Sequence, residues 1–152
     1  MPETASLDTP LGRLGLSADE GAITGLDWRS DAPPPASPLL AEAADQLTAY
    51  FEGRLTHFDL PLAPTGGPFQ QQVMDQMRLI PFGQTRSYGE IAQDLGCPAQ
   101  PVGQACGANP IAILIPCHRV LSANGTGGFS GFGGVETKIW LLRHEGAYGF
   151  LL

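Results

Sequence analysis

The sequence lacks a hydrophobic run that could cross a membrane, and it contains few cysteines. Its longest apolar stretch is Ile111–Pro116, far shorter than the roughly 20 residues that a membrane-spanning helix needs. The N-terminus has neither the basic flank nor the apolar centre of a signal peptide. Three cysteines, an odd number, do not suit a disulfide scaffold. We therefore expect a soluble cytoplasmic protein whose thiols stay reduced.

A surplus of basic charge is also missing, and the charge is unevenly distributed. The net charge of −7 lies in residues 1–67, whereas residues 68–152 hold five basic and five acidic side chains. Charge alone therefore gives little sign of nucleic-acid binding, and any polyanion would have to meet the second half. With 152 residues, of which 43% are hydrophobic, the chain can form one ordinary domain or two small ones.

The first part of the chain predicts a hairpin followed by a helix. Alternating apolar and polar residues over 9–28 are typical of two antiparallel strands around a turn. The run from Ser37 to Gly53 opens with a proline and places apolar residues at helical spacing. Residues 59–67 are rich in proline and glycine, so we expect the boundary between an N-terminal domain, 1–65, and a C-terminal domain, 66–152, in that segment.

Two short helices in the second part are compatible with a helix-turn-helix. Ser87 and Glu90 form a capping-box signature at the start of a helix that runs to Leu95. A glycine-containing turn leads to a second helix over about Ala99–Cys106, which would face a DNA groove. An ordinary helical corner explains the same pattern equally well. The sequence further predicts a helix from Phe69 that stops before Pro81, a buried strand over Ile111–Ile115, and a last helix over Thr137–His144 with Ile139, Trp140 and Leu142 inside.

The predicted strand delivers Cys117 beside His118, which makes the thiol a candidate nucleophile. An unperturbed thiol, with a pKa of about 8.5, is mostly protonated at neutral pH, and lowering that pKa by about two would make the thiolate dominant. His118 could accept the proton. Because neighbouring residues of a strand point to opposite faces, their contact would need a water or a departure from strand geometry. Glu145 is our candidate for the group that orients the imidazole.

A plainer interpretation of the same pair is a packed thiol beside a hydrogen-bonded imidazole, which is the commoner arrangement in proteins. We expect Cys97 and Cys106 to be structural thiols, and His57 and His144 to lie at the surface. The cysteines and histidines show no paired CxxC or HxxxH spacing, so we expect no metal site.

Several motifs follow one another along the chain in an order that is unlikely to arise by chance. They are Thr9–Gly12, Tyr50–Gly53, Ile80–Gly83, Ser87–Ala92, Asn109-Pro110, Ile115–Val120 and Lys138–Gly146. Together they resemble the methylated-DNA–protein-cysteine methyltransferases, the repair proteins for guanine alkylated at O6. The resemblance implies an α/β (α+β) fold, with a ribonuclease-H-like N-terminal domain and a winged-helix-like C-terminal domain that contains the helix-turn-helix.

The resemblance also implies a reaction in which each protein molecule acts once. The alkylated guanine is flipped out of double-stranded DNA, and Cys117 takes the alkyl group from O6, or possibly from O4 of thymine, as a stable thioether. His118 removes the thiol proton through a water, Glu145 orients His118, and Asn109 holds the active-site loop. No cofactor is implied, nor any membrane partner, and a monomer is expected.

The same resemblance indicates which residues contact the substrate and the DNA. Tyr88 would crowd the 3′ phosphate and hydrogen-bond the flipped base, and the carbonyls of Cys117 and Val120 would accept from the guanine amino group. Gln100 stands where an arginine that fills the space left by the base is usual. The whole predicted contact set is Tyr88, Gln100, Val120, Ser87 and Arg119.

Two other functions stay open at this point. The glutamine at position 100 leaves room for a protein that recognises the lesion and recruits other repair factors, although proteins of that kind lack the cysteine that stands at position 117. A cysteine hydrolase that uses Cys117 and His118 on a small ester or peptide is the third hypothesis, but the sequence shows no separate oxyanion or specificity motif for it.

Overall fold

The computed structural model describes residues 2–147 except 124, 130 and 132. The chain divides into two compact units, one that ends at Thr65 and one that begins at Gly66. Among the described residues, no helix has both the length and the apolar character that crossing a bilayer requires.

The first unit contains a three-stranded antiparallel sheet in the order β1-β2-β3, formed by β1 (Glu3–Thr9), β2 (Gly12–Asp19) and β3 (Ala22–Asp27). The predicted hairpin is confirmed by β2 and β3. Glu20 and Gly21 connect them with φ of 50° and 81°, the left-handed conformations that suit a two-residue hairpin turn. The strand β1, which pairs along its whole length with β2, was not predicted.

The predicted helix of the first unit is α1 (Pro38–Phe51), which packs against β1 and β2. Ser37 caps it, because the serine hydroxyl accepts from the amide of Leu40 at 3.3 Å, and Pro38 fits the first turn, where its missing N–H costs nothing. One face carries the buried side chains Leu40, Ala43, Ala44, Leu47 and Tyr50.

The second unit is mainly helical. Its capping box is confirmed, since the Ser87 hydroxyl accepts from the Glu90 amide at 3.0 Å and the Glu90 carboxylate accepts from the Ser87 amide at 2.8 Å. Gly96, with φ of 68°, ends that helix and allows the next one to pack against it. The helices are α2 (Pro68–Arg78), α3 (Tyr88–Leu95), α4 (Ala99–Gly107) and α5 (Val135–His144). Two short strands, β4 (Arg86–Ser87) and β5 (Val120–Leu121), pair in parallel.

The segment Ile111–Ile115 is buried, as expected, but the prediction that it is a strand is wrong. It forms a tight turn in which Ile113 has φ of 72° and the Ile115 amide donates to the Ile111 carbonyl at 2.9 Å. A 3-10 turn, Cys117–Arg119, follows. A continuous apolar run reports burial but not backbone conformation, so the pattern could not distinguish the two. Side chains of the 3-10 turn therefore do not alternate between two faces.

The inner face of α5 also differs from the prediction. Leu142 is buried as predicted, but Ile139 and Trp140 are only half-buried, and Lys138 and Leu141 lie inside instead. Apolar periodicity does not predict a lysine on the inner face, but the amine of Lys138 finds carbonyl partners in the interior.

Candidate active site

A cavity of about 420 Å³ lies within the second unit. Helix α4 contributes Gly103, Cys106 and Gly107, which share one helix face because they are three and four residues apart. The two glycines carry no side chain, so they leave this wall open to an incoming group. The other lining residues are Tyr88, Cys117, Gly128 and Phe129.

Cys117 lies at this cavity with only 6% of its surface exposed. Burial raises the pKa of its thiol, and neither a hydrogen bond with Asn109 nor the nearby Lys138 ammonium overcomes that effect. This direction is opposite to the one that would make the thiolate dominant. The thiol is therefore protonated at neutral pH.

His118 is the base nearest to Cys117 in the sequence, and its side chain is completely buried. Its Nε2 lies 2.8 Å from Oε2 of Glu145, whereas Nδ1 has no hydrogen-bond partner among the described residues. Burial lowers the pKa of His118, so the imidazole is neutral. An ionised carboxylate can only accept, so Nε2 carries the proton and Nδ1 presents a lone pair. His118 is thus a buried base with a defined tautomer.

Glu145 receives hydrogen bonds from two side chains and is itself buried. Besides His118, the Arg119 guanidinium binds it in bidentate fashion, with Nε 2.8 Å from Oε1 and Nη2 3.0 Å from Oε2. Burial alone would raise the pKa of Glu145, but these hydrogen bonds and the arginine charge hold the pKa below the usual carboxyl range. Glu145 is therefore ionised.

The prediction that Arg119 contacts DNA is wrong. Only 6% of the residue is exposed, and its guanidinium binds Glu145 and, through Nη1, the Ile80 carbonyl at 2.6 Å. A cation with these partners cannot leave the interior without a large loss of free energy.

Asn109 stabilises the turn that leads to Cys117 through two hydrogen bonds. Its Nδ2 donates to the Ile115 carbonyl at 2.8 Å, and its Oδ1 accepts from the Ile111 amide at 3.0 Å. One side chain therefore closes both ends of the five-residue loop that replaces the predicted strand.

Lys138 also lies at the site, a position that its sequence motif did not predict. It is fully buried, and its Nζ donates to the carbonyls of Val120 at 2.7 Å and Gly128 at 3.0 Å, and to the Tyr88 hydroxyl at 3.4 Å. Burial lowers the pKa of Lys138 to about 8 and raises that of Tyr88 to about 12. The signal that could have revealed it is its position on the inner face of α5, next to Leu141 and Leu142.

The remaining predicted contact residues surround the cavity or support it. Gln100 is exposed and lies one turn before Gly103 on the cavity-lining face of α4. Ser87 is the N-cap of α3, and Val120 is buried with its carbonyl bound to Lys138. Their contacts with DNA remain predictions.

The other two cysteines differ in position. Cys106 is buried like a structural thiol but also lines the cavity, and burial raises its pKa to about 12. Cys97 is half-buried in the turn between α3 and α4. Within residues 2–147 apart from 124, 130 and 132, no three His, Cys, Asp or Glu side chains group closely enough to hold a metal ion.

Comparison with known families accounts for almost the whole chain. Residues 4–64 match the ribonuclease-like domain of 6-O-methylguanine DNA methyltransferase, and residues 68–147 match the DNA binding domain of the same family. The chain belongs to the 6-O-methylguanine DNA methyltransferase family. The resemblance inferred from the motifs and the mixed α/β fold are thereby confirmed. The chain is thus a methyltransferase of direct-reversal DNA repair, in which the alkyl group passes to a cysteine of the protein itself.

Individual relatives are similar over nearly their full length. A methylated-DNA–protein-cysteine methyltransferase of Mycolicibacterium paratuberculosis is 42% identical over 95% of this chain and 93% of the relative. The crystal structure of Mycobacterium tuberculosis O6-methylguanine methyltransferase superposes with a TM-score of 0.84 at 41% identity, over 97% of this chain and 94% of that one. The same bacterium's protein in complex with DNA gives a TM-score of 0.82 at 41% identity, over 93% and 92%.

Proposed function

We propose that Cys117 is the acceptor, and that it takes the alkyl group from O6 of guanine after the damaged base has turned out of double-stranded DNA into the cavity. The observation that carries this proposal is the pairing of a cavity-lining thiol with an adjacent buried imidazole whose Nδ1 presents a lone pair. Cys106 shares the cavity but has no such base beside it in the sequence, and burial raises its pKa to about 12.

The proposed reaction is a single displacement at the alkyl carbon. His118 Nδ1 takes the thiol proton through a water while the sulfur forms its bond to carbon and the bond from carbon to O6 breaks. The electron pair of the broken bond goes to O6, and guanine regains a proton on its ring nitrogen, so the removed proton is balanced. Ionised Glu145 stabilises the imidazolium that forms between these events. General-base assistance of this kind accelerates a reaction by roughly 10²–10⁴-fold.

A thiol that is protonated at rest has a consequence for selectivity. The thiolate is the reactive nucleophile, so a neutral buried thiol reacts slowly with electrophiles in solution. Because the product is a thioether, which water does not hydrolyse, each molecule acts once, and premature alkylation would consume it. Deprotonation only within the complex with DNA keeps Cys117 available for the lesion.

Recognition of the base fits the groups at the cavity. The Cys117 carbonyl accepts from the Val120 amide, and the Val120 carbonyl accepts from Lys138. A carbonyl has two lone pairs, so each retains one for the guanine amino group. Alkylated thymine offers the same ether at O4 but lacks that amino group, so we expect it to react more slowly. Tyr88, which also lines the cavity, would hydrogen-bond the base as well.

DNA is the partner in this proposal, and the reaction takes place in the cytoplasm. Extrusion of the base costs a few kcal/mol, which protein groups at the gap have to offset. Gln100 lies on the cavity side of α4 and can fill the gap and hydrogen-bond the orphaned cytosine, without the charge of an arginine. Ser87 at the start of α3 is a further candidate for phosphate contact.

Serine substitutions of the three cysteines test the proposal. With duplex DNA that contains O6-methylguanine, Cys117→Ser should transfer no methyl group but still bind the lesion, because only the nucleophile is changed. Cys106→Ser should still methylate at Cys117 with an altered rate, and Cys97→Ser, outside the cavity, should behave as wild type. Methyl transfer by Cys117→Ser would contradict the assignment of the acceptor.

A further inference from the structure

Arg119 has partners on two separate segments, and one of these partners also binds the proposed base. The guanidinium donates to the Glu145 carboxylate at the end of α5 and to the Ile80 carbonyl in the loop after α2. It also lies 5.9 Å from the centre of the Phe82 ring, within the range where a cation is attracted to an aromatic face. The loop that contains Ile80 and Phe82 therefore holds Arg119 in place beside the carboxylate.

One oxygen of Glu145 accepts from both of its neighbours. Oε2 lies 2.8 Å from His118 Nε2 and 3.0 Å from Arg119 Nη2, while Oε1 lies 2.8 Å from Arg119 Nε. All three side chains are buried, so solvent screens their charges only weakly. The negative charge is therefore shared between a fixed cation and the imidazole, and only the part that Arg119 leaves uncompensated attracts a proton to His118.

Without the guanidinium, the same arrangement would favour a different protonation state. A buried carboxylate that has no cation beside it gains stability by taking up a proton, either on its own oxygen or on the imidazole that it contacts. On the imidazole, the extra proton would occupy Nδ1, which could then no longer accept from the thiol. On Glu145, it would remove the anion that stabilises the imidazolium during transfer. In both cases the base fails at neutral pH.

We propose that Arg119 is a positioning residue, whose charge keeps the His118–Glu145 pair free of an additional proton at neutral pH, so that Nδ1 of His118 is an acceptor when the damaged base enters the cavity. Arg119 acts through Glu145 and not on the thiol or the base directly. This inference rests on the proposed function, because it assumes that His118 takes the thiol proton. It also gives a purpose to the motif Ile80–Gly83, which the displacement at the alkyl carbon does not itself use.

The other charged and titratable groups around His118 do not produce the same effect. On the 3-10 turn, burial raises the pKa of Cys117, so this thiol ionises in the alkaline range. On α5, the Lys138 ammonium also opposes a proton on His118, but with a pKa of about 8 it stays charged throughout the acidic range. Helix α2 packs on the turn as well, and its buried residues do not titrate: Val73, Met74 and Met77. A change in rate on the acidic side therefore reports on the His118–Glu145 pair.

The test is the pH dependence of methyl transfer in a single turnover, with protein saturating over DNA so that binding does not limit the rate. In wild type the pKa of His118 is lowered, so the rate constant should fall only below the ordinary histidine value of about 6.5. In Arg119→Met, the midpoint of this decrease should move up by about 1–3 pH units, the size of the effect of one nearby charge. The rate constant should therefore recover as the pH is raised.

Two further variants complete this experiment. Arg119→Lys keeps the charge but loses the two-donor fork, so its midpoint should move up by less than that of Arg119→Met. The control is Arg54→Met, which removes an exposed arginine of the first unit and should follow the wild-type profile. If Arg119→Met instead lowers the rate constant by one factor at every pH, Arg119 has only a structural role and the proposal is wrong.

A second measurement follows His118 without any reaction. In protein labelled with ¹⁵N-histidine, three ring systems are visible, and the variants His57→Gln and His144→Gln assign them. The His118 signals of Arg119→Met should titrate near neutral pH, because a proton on the imidazole or on the carboxylate that it contacts changes the environment of Nε2. In wild type they should show hydrogen on Nε2 and no titration in that range.

The outcomes of the titration are separate from those of the transfer assay. His118 signals that titrate alike in wild type and Arg119→Met would overturn the proposal. The spectrum also shows whether the variant is folded, and if Arg119→Met is unfolded, Arg119→Lys provides the same comparison with a smaller shift. If wild type transferred no methyl group at any pH, the proposed function would fail instead, and the titration would still decide what Arg119 does to His118.

Discussion

Replacing Glu145 by glutamine separates the chemical role of this residue from its structural role. The carboxylate accepts from His118 Nε2 at 2.8 Å and from Arg119 Nε and Nη2 at 2.8 and 3.0 Å, and both Glu145 and His118 are without exposed side-chain surface. Glutamine has nearly the same shape but no charge. The variant therefore keeps the packing and removes the anion that compensates the guanidinium.

The substitution should reduce both the stability of the protein and its rate of methyl transfer. Removing one partner of a buried ion pair leaves the other charge uncompensated, so Glu145→Gln should lower the free energy of unfolding by about 3–5 kcal/mol. The amide oxygen can still accept from Nε2, but it no longer stabilises a protonated imidazole. We expect methyl transfer to slow by roughly 10²–10⁴-fold, the size of a lost general-base contribution.

The double variant Arg119→Met with Glu145→Gln distinguishes the two effects. It removes the uncompensated cation, so urea unfolding followed by circular dichroism should show most of the stability restored. Single-turnover transfer to O6-methylguanine DNA should stay slow, because His118 still lacks its carboxylate. If Glu145→Gln is folded and transfers at the wild-type rate, the role that we assign to His118 is wrong.

Three further predictions concern the cavity wall and the DNA surface. In Gly127→Ala, a Cβ would lie 2.8 Å from the Tyr88 ring in a backbone conformation with φ of 71°, so methyl transfer should slow about tenfold or more. The control is Gly125→Ala, which has open space around its Cβ position and should react like wild type. Equal rates for the two variants would show that the position of the Tyr88 ring is not important for transfer. Gln100→Arg should bind lesion DNA more tightly in a gel-shift assay or transfer the methyl group faster. If neither changes, residue 100 does not enter the space that the extruded base leaves in the DNA. Two of the five basic side chains of residues 68–152, Arg119 and Lys138, are buried, so at most three remain to contact phosphates. The slope of log affinity for DNA against log salt concentration should therefore be about −3 or shallower. A slope near −5 would require contacts from basic side chains of the first unit.

Local signals in the sequence were sufficient for several elements. Ser37 before a proline-opened apolar run and the Ser87–Glu90 pair are capping patterns whose hydrogen bonds are local, so they can be read from neighbouring residues. The hairpin formed by β2 and β3 could be predicted for the same reason. The motifs identified the family because they contain the residues of the site itself.

Features that depend on tertiary contacts could not be predicted in this way. The Ile111–Ile115 run was assigned to a strand because apolarity indicates burial, while the tight turn depends on the hydrogen bonds that Asn109 makes across it. The pKa of Cys117 depends on how deeply the fold buries it. The sequence also gives no indication that Arg119 points inward, because a cation is expected outside until its buried partners are known. For Lys138 the helical spacing with Leu141 and Leu142 is a signal, but its charge argues against burial.

Identifying the atom that carries the transferred methyl group shows whether Cys117 is the acceptor. Trypsin cleaves after Arg86 and Arg119, so all three cysteines fall in one peptide, Ser87–Arg119, and the mass of the intact peptide cannot distinguish them. Fragmentation can, because the C-terminal three-residue fragment, Cys117 to Arg119, contains one cysteine. After reaction with O6-methylguanine DNA, that fragment should carry one additional methyl group in place of the thiol hydrogen. The assignment of Cys117 as the acceptor would be contradicted by a methyl group on the part of the peptide that holds Cys97 and Cys106. It would also be contradicted by an unmodified peptide after a lesion has been repaired.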